Sequence, residues 1–548
     1  MGEHWYREAV IYCLDVDTFQ DSNGDGIGDL RGLISRLDYL SGLGVTCLWL
    51  NPIHPSPRRD DGYDVADHYG VQPEIGSLGD FVELVHKANN LGLRIIIDLV
   101  INHTSNEHPW FQDARASEDS QYRDWYVWSH DKPSDTRQGM VFPGVQDSTW
   151  THDRKAGAWY YHRFYDFEPD LNMANPDVRA EIDKIIAFWL QLGVAGFRLD
   201  AAPFVIELTT PNDPSPRKDF EWLSEFRRRA SWRRGDALIL AEANVEKDEL
   251  VEYFGSGDRL PMLFNFMLNA RTFLALARAD ASPLIQALAQ GPTLPPTCQW
   301  ATFLRNHDEV DLSELTAHER DDTFAAFGPE PEMQLYERGI RRRLAPMLGN
   351  DRSRIEMAYA LQFALPGTPV IRYGDEIGMG DDLSLPERDA IRTPMQWSPI
   401  GNGGFSDAGA SKLVAPVIDN DTFGFERVNV ESELADHGSL LWWFRRALRA
   451  LRECPEFGNG TCHYLDTGVR SVLALIHDAP GGAVLALTNL APEGCCIDIG
   501  LQPERAHGVV REVFADRDYA PPDEELKQLE LGLYGYRWIR LRENLGRS

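Results

Sequence analysis

Long hydrophobic runs are missing from this chain of 548 residues. No stretch approaches the roughly 18 apolar residues that span a bilayer, so a helical membrane anchor is not expected. The opening Met1-Gly2-Glu3-His4-Trp5-Tyr6 has neither the basic start nor the apolar core of a secretory signal. Basic residues are also scarce: 54 Lys and Arg stand against 85 Asp and Glu, a formal charge of −31. Phosphate backbones need clustered positive charge, so a nucleic-acid groove is excluded as the main surface, and the acid excess reads as a solvated exterior. Cysteine is sparse and odd in number, with seven at Cys13, Cys47, Cys298, Cys454, Cys462, Cys495 and Cys496. They show no metal-ligand or redox spacing, which suits packing roles in a reducing compartment and predicts a cytoplasmic location. Internal repeats and low-complexity tracts are absent, and 43% hydrophobic with 25% charged residues is the composition of a folded globular protein.

What is present is an alternation of short apolar strands with helical stretches from residue 9 to about 378. The strand candidates are 9–16, 45–51, 93–100, 193–200, 237–244, 261–268, 299–308 and 369–376. Their apolar runs are continuous, as expected when both faces of a parallel sheet are buried. The pattern predicts an α/β chain built on a (β/α)8 TIM barrel, covering 1–102 and 176–454, with helices such as 177–192, 217–230 and 437–453. Trp442 and Trp443 fall in the last of these at core spacing. Residues 103–175 are too long for an ordinary loop and carry no long helical period, so they form an inserted subdomain after strand three. From 455 to 548 short β-like runs return, predicting an antiparallel C-terminal β domain of sandwich type.

Barrel enzymes hold their chemistry at the carboxyl ends of the strands, and here those ends carry acids. Asp98 lies late in strand three, Arg198 and Asp200 end strand four, Glu242 ends strand five, and His307-Asp308 end strand seven. Any one of them could cap a helix or face water. Several ionisable groups converging on one mouth repel each other, a cost that catalysis would explain. A retaining glycosidase requires such a cluster, because one carboxylate attacks the anomeric carbon and a protonated one, about 5–5.5 Å away, donates to the leaving oxygen.

The segments GFRLDAAPF (196–204), LAEAN (240–244), FLRNHDE (303–309), DLVINHTS (98–105) and EPDLN (168–172) resemble the ordered motifs of the α-amylase superfamily. The resemblance implies Asp200 as nucleophile, Glu242 as general acid/base and Asp308 as transition-state stabiliser. It also implies that Arg198 holds the nucleophile, that His103 and His307 contact sugar hydroxyls, and that Tyr63 is the platform under the ring. Asp60 and Arg392, in IRTPMQW (391–397), match the pair that clamps the 4-hydroxyl of a terminal glucose in exo-acting members. The family usually has Gln where this chain has Glu168.

Asp21-Ser22-Asn23-Gly24-Asp25-Gly26-Ile27-Gly28-Asp29 reproduces the front of an EF-hand-type loop, with oxygen donors at Asp21, Asn23, Asp25 and Asp29 and a backbone donor at Ile27. Position 12 is Gly32 instead of glutamate, so the flanking fold is not an EF-hand. A structural Ca2+ is expected there, with no organic cofactor, since two carboxylates suffice for the chemistry.

Outside the shared motifs, DSNGDGIGDLRGL (21–33), NPIHPSPRRDDGYDVADHY (51–69), GIRRRLAPMLGNDR (339–352) and YGDEIGMGDD (373–382) resemble the superfamily members that interconvert maltose and trehalose in a closed site. That implies a small disaccharide substrate, and 309–367 is the candidate lid. Two other readings stand beside it: an exo-acting α-glucosidase cleaving maltose, sucrose, trehalose or a glucosylated solute, and a catalytically silent carbohydrate-binding scaffold. Intact Asp200, Glu242 and Asp308 speak against the last. The sequence allows a homo-oligomer without pointing to its interface.

Overall fold

A computed structural model describes residues 4–213, 215–499, 509–523 and 525–542. Eight parallel strands close into a barrel: β1 (Ile11–Leu14), β2 (Cys47–Leu50), β3 (Arg94–Leu99), β4 (Gly196–Leu199), β5 (Leu238–Ala241), β6 (Met262–Phe264), β7 (Gln299–Phe303) and β8 (Thr368–Arg372). Each pairs with its neighbours in sequence, and β8 closes on β1. Strand residues alternate between an interior cluster, including Cys13, Trp49, Ile96 and Leu240, and a larger cluster packed under the helices, including Tyr12, Leu50, Ile97 and Ile239. Gly196 has φ +155, and a Cβ there would run into the carbonyl of Leu238, so glycine is what lets β4 lie against the start of β5.

The register positions the chemistry. Leu199 is level with Leu99 on one side and Ala241 on the other. Asp200 and Glu242 therefore emerge side by side, one residue beyond the paired strands, at the carboxyl rim. At the opposite end the turn Trp5–Glu8 seals the barrel, with Trp5 Nε1 donating to Asp236 O at 2.9 Å and Tyr6 OH to Thr297 O at 2.6 Å.

Several expected boundaries move. The stretch 261–268 is strand only to Phe264; Asn265 accepts from Leu268 N at 3.0 Å and caps the helix Phe266–Arg278, converting the rest to helix. The stretch 369–376 ends its strand at Arg372, because Gly374 at φ +81 turns the chain into the short 3-10 helix Asp375–Ile377. The helix expected at 217–230 runs Phe220–Arg233, while Arg217–Lys218 pairs with Glu207–Leu208. Trp443 is buried as expected, but Trp442 is half-buried with the Arg445 guanidinium 4.7 Å above its ring. Of the cysteines, Cys496 is exposed and so is not a packing residue; Cys13, Cys47, Cys298 and Cys454 are buried and all seven are free thiols.

The insert holds the helix Pro109–Ala114 and a three-stranded antiparallel sheet of Trp128–Ser129, Trp150–Asp153 and Ala158–Tyr161. After β7, Val310–Asp311, Gln334–Leu335 and Gly339–Ile340 form a second small sheet, with the helix Ala317–Phe327 beside it. A five-stranded antiparallel sheet and a two-stranded one follow from Thr461, sharing an apolar cluster that includes Leu485, Ile497, Leu529 and Leu531. Within the opening segment and the C-terminal domain read from sequence, Met1–Glu3 and the stretches 500–508, 524 and 543–548 lie outside the described residues. No helix among the described residues is long and apolar enough to cross a membrane.

Candidate active site

The carboxyl ends of β3, β4 and β5, with Tyr63 from the loop after β2, converge on one guanidinium. Arg198 donates from one nitrogen to Asp200 Oδ1 at 2.7 Å, Asp98 Oδ1 at 3.2 Å and Tyr63 OH at 3.4 Å. Its other nitrogen is bonded to Glu242 Oε2. Arg198 is 1% exposed, so these charge-assisted bonds operate away from bulk water. Ala201, immediately after Asp200, sits at φ +47, a left-handed conformation that non-glycine residues seldom adopt. The strain falls where the chain turns away after presenting the Asp200 carboxylate.

Two acids at this mouth are driven apart in proton affinity. Burial pushes Glu242 up to about 8; Arg198 acts against this, and Asp308 and Asp200 reinforce it. Burial works in the same direction on Asp308, yet the guanidiniums of Arg388 and Arg392, together with His307, hold it well below the ordinary carboxylate range. Asp200 is raised by burial with Arg198 opposing, so the arginine moderates the effect of burial without cancelling it. The two shifts keep Glu242 mostly protonated near neutral pH beside an ionised Asp308.

Tyr63 and His307 lie stacked, with ring centres 5.6 Å apart, and Tyr63 OH meets His307 Nε2 at 2.7 Å and Asp98 Oδ2 at 3.0 Å. Burial lowers His103 to about 4 and takes His307 well below its usual value, so both rings are neutral hydrogen-bonding groups at pH 7. His103 Nε2 lies 3.2 Å from the Tyr63 carbonyl. Asp60 and Arg392 both come to this site, but Arg392 reaches Asp61 Oδ2 at 2.8 Å and Asp308 Oδ1 at 3.2 Å, whereas Asp60 lines the cavity without a direct bond to it. All six substrate-contact residues expected from sequence therefore stand within or directly behind one mouth.

That mouth opens into a cavity of about 480 Å³, walled by Asp60, Tyr63, His103, Asp200, Glu242 and Asp308 together with residues that sequence reasoning missed. Arg388 is one of these: its Nη1 lies 3.2 Å from Asp308 Oδ1 and its Nε donates to Glu309 Oε2 at 2.8 Å. Phe142, from the insert, also lines the cavity. The spacing of Arg388, four residues before Arg392, was a usable signal; nothing in the sequence near Phe142 pointed to the cavity.

The loop 21–29 folds as successive Asx turns. Asp21 Oδ1 accepts from the amides of Asn23 and Gly24 at 2.9 and 2.8 Å, Asn23 Oδ1 from Asp25 N at 2.9 Å, and Asp25 Oδ1 from Ile27 N at 2.9 Å. Asp29 caps the helix Leu30–Ser35 through Gly32 N at 2.7 Å and also takes Ser22 N at 2.9 Å. Among the described residues no three His, Cys, Asp or Glu side chains are gathered closely enough to hold a metal by themselves.

Comparison with known proteins finds relatives along almost the whole chain. The Alpha-amylase family, described as "Alpha amylase, catalytic domain", matches residues 13–325 and 340–458. The "Trehalose synthase/amylase TreS" of Mycolicibacterium smegmatis is 42% identical over 98% of this chain and 93% of its own. The "Trehalose synthase" of Pimelobacter sp. is 40% identical over 99% of this chain and 97% of its own. Among solved structures, the trehalulose synthase MutB from Pseudomonas mesoacidophila MX-45 superposes with a TM-score of 0.78 at 25% identity, covering 99% of this chain and 100% of that one.

Proposed function

The chain belongs to the α-amylase family, and from that premise we propose that it interconverts maltose and trehalose by retaining glucosyl transfer, with some hydrolysis to glucose. The observation that carries this reading is the 42% identity, along 98% of the chain, to a relative named for trehalose synthesis and amylase activity. Synthesis of a disaccharide is what the names of these relatives describe, and the cavity of about 480 Å³ suits a ligand of disaccharide size.

In the first step the Asp200 carboxylate attacks the anomeric carbon, the bond to the leaving oxygen breaks, and Glu242 gives its proton to that oxygen. Asp308, held ionised by two arginines, stabilises positive charge developing on the ring. The freed glucose turns within the cavity. Glu242, now a carboxylate, takes a proton from the hydroxyl that attacks the anomeric carbon and releases Asp200. Attack by the 1-hydroxyl gives trehalose, by the 4-hydroxyl maltose, and by water glucose. Tyr63 supplies an apolar ring face beneath the sugar, and the Arg392–Asp61 pair stands behind Asp308.

Loop 21–29 is proposed as a structural calcium site. Asp21, Asn23, Asp25 and the Ile27 carbonyl supply hard oxygen donors in the expected order, while Asp29 is already engaged as a helix cap. A cytoplasmic location belongs to the same reading, supported by seven free thiols. The function is tested by incubating the purified protein with maltose and separating the products. Trehalose as the main product supports it; glucose alone assigns an α-glucosidase, and no turnover removes the assignment.

A further inference from the structure

Three segments that are remote in sequence meet over the cavity, and one carboxylate joins them. Glu387, in the loop after β8, accepts on the same oxygen from Tyr336 OH at 2.8 Å and Tyr165 OH at 3.1 Å. Tyr165 belongs to the insert and Tyr336 to the cover formed after β7. Phe142 packs against both tyrosines, with ring centres 5.0 Å from Tyr165 and 4.9 Å from Tyr336. The Arg388 guanidinium lies 5.2 Å from the Phe142 ring and 5.4 Å from the Tyr336 ring while contacting Asp308. Arg341, also in the cover, donates to the carbonyls of Leu383, Leu385 and Glu387, at 2.9, 2.7 and 3.0 Å.

The backbone is strained at this junction. Tyr336, Glu337 and Glu387 have φ of +53, +61 and +39, conformations that persist only where surrounding contacts hold them. Those contacts are the two phenol bonds and the Arg341 clamp. Without the phenol bonds Glu387 no longer links Tyr165 to Tyr336, and the cover is held more loosely, by the Arg341 clamp on the loop and by the Arg338 Nη2 bond to the Val141 carbonyl of the insert at 3.1 Å.

We propose that Glu387, through Tyr165 and Tyr336, sets the ratio of transfer to hydrolysis by keeping the cover shut while the glucosyl-enzyme exists. The proposal rests on the isomerase reading above. A shut cover keeps the freed glucose beside the anomeric carbon and keeps water out. None of the three residues exchanges a proton with substrate, so they are positioning residues that act through the cover and through Arg388.

The test uses the full chain and maltose, with trehalose and glucose measured for the parent, Tyr165→Phe/Tyr336→Phe and Glu387→Gln. The parent result judges the isomerase reading by itself: without trehalose, that reading fails. With trehalose formed, the double variant is expected to raise the share of glucose about two- to tenfold for each hydrogen bond removed, with total maltose consumption changed less. Glu387→Gln, which keeps one acceptor oxygen, is expected to fall between the two. Labelled free glucose added to the reaction should enter the disaccharide faster in the variants, because a looser cover exchanges its glucose. A merely structural role would lower the melting temperature and total turnover while leaving the product ratio fixed. An unchanged ratio and unchanged label exchange in both folded variants would overturn the proposal.

Discussion

Arg198 holds Asp200 with one guanidinium nitrogen and Glu242 with the other, so the two groups that share the reaction also share a single cation. The β3–β4–β5 register that sets Leu199 level with Leu99 and Ala241 makes this possible. The consequences can be measured one at a time.

Glu242→Gln removes the proton donor and keeps the shape. Turnover of maltose should drop about 10²- to 10⁴-fold. Formation of the glucosyl-enzyme from α-glucosyl fluoride, whose leaving group needs little protonation, should be far less affected. Equal losses on both substrates would assign Glu242 another role.

The pH profile follows from the same acids. Glu242 must carry its proton to act, and its pKa is pushed up to about 8, so kcat/KM should fall as pH rises through that value. Asp200 must lose its proton, and its pKa is raised above the ordinary value, so kcat/KM should also fall on the acid side, sooner than an exposed aspartate would dictate. In Asp308→Asn, Glu242 loses a neighbouring negative charge and the alkaline limb of any residual activity should move to lower pH. Rates measured from pH 4 to 10 read both limbs.

Arg392→Ala should lower kcat as well as weaken binding. Arg392 contacts the Asp308 carboxylate directly, and without it that carboxylate keeps only Arg388 as a guanidinium partner among the described residues. A loss confined to KM would mean that Arg392 serves recognition alone.

Acid should destabilise the protein through histidines behind β2 and β3. His54, His68 and His108 are buried, with His54 lowered to about 3 and His108 to about 2, and His68 lowered as well, in each case chiefly by burial. The unfolded chain binds protons on these rings near pH 6.5 while the folded one does not, so each contributes stability above that pH and loses it as pH falls, at up to about 1.4 kcal/mol per unit. Buried acids with raised pKa, such as Glu376 at about 7, work in the opposite direction. Comparing urea midpoints at pH 7.5 and 5 in the parent and His54→Phe isolates the histidine part, and the variant should show the smaller drop.

Chelation tests the loop at 21–29. If calcium binds there, adding EGTA should lower the melting temperature by several degrees, and excess calcium should restore it. Asp21→Ala should remove the response while sparing the turnover chemistry. A melting temperature indifferent to both reagents would leave the loop as a set of Asx turns.

The barrel was legible because continuous apolar strands and acid-tipped ends are consequences of burying both sheet faces and leaving only the rim wet. Asp200, Glu242 and Arg198 were found for that reason, each next to an apolar residue of its run, and Asp308 follows its run by four residues. The strand boundary at Phe264 was missed because FNFML is equally apolar as strand or helix, and only the Asn265 cap decides. Arg388, Phe142, Tyr165 and Tyr336 act through tertiary packing between segments far apart in the chain, which has no local period to detect. The Arg392–Asp61 pairing was missed because adjacent aspartates at 60 and 61 are indistinguishable until the turn at Gly62 aims them.

The uneven placement of the thiols gives the molecule a single convenient handle. Cys13, Cys47, Cys298 and Cys454 are buried, Cys462 and Cys495 are half-buried, burial pushes Cys454 and Cys462 up to about 12, and Cys496 is the exposed one. A maleimide dye or a solid support would therefore attach chiefly on the C-terminal β domain, far along the chain from the residues that form the sugar site, with no cysteine needing to be engineered.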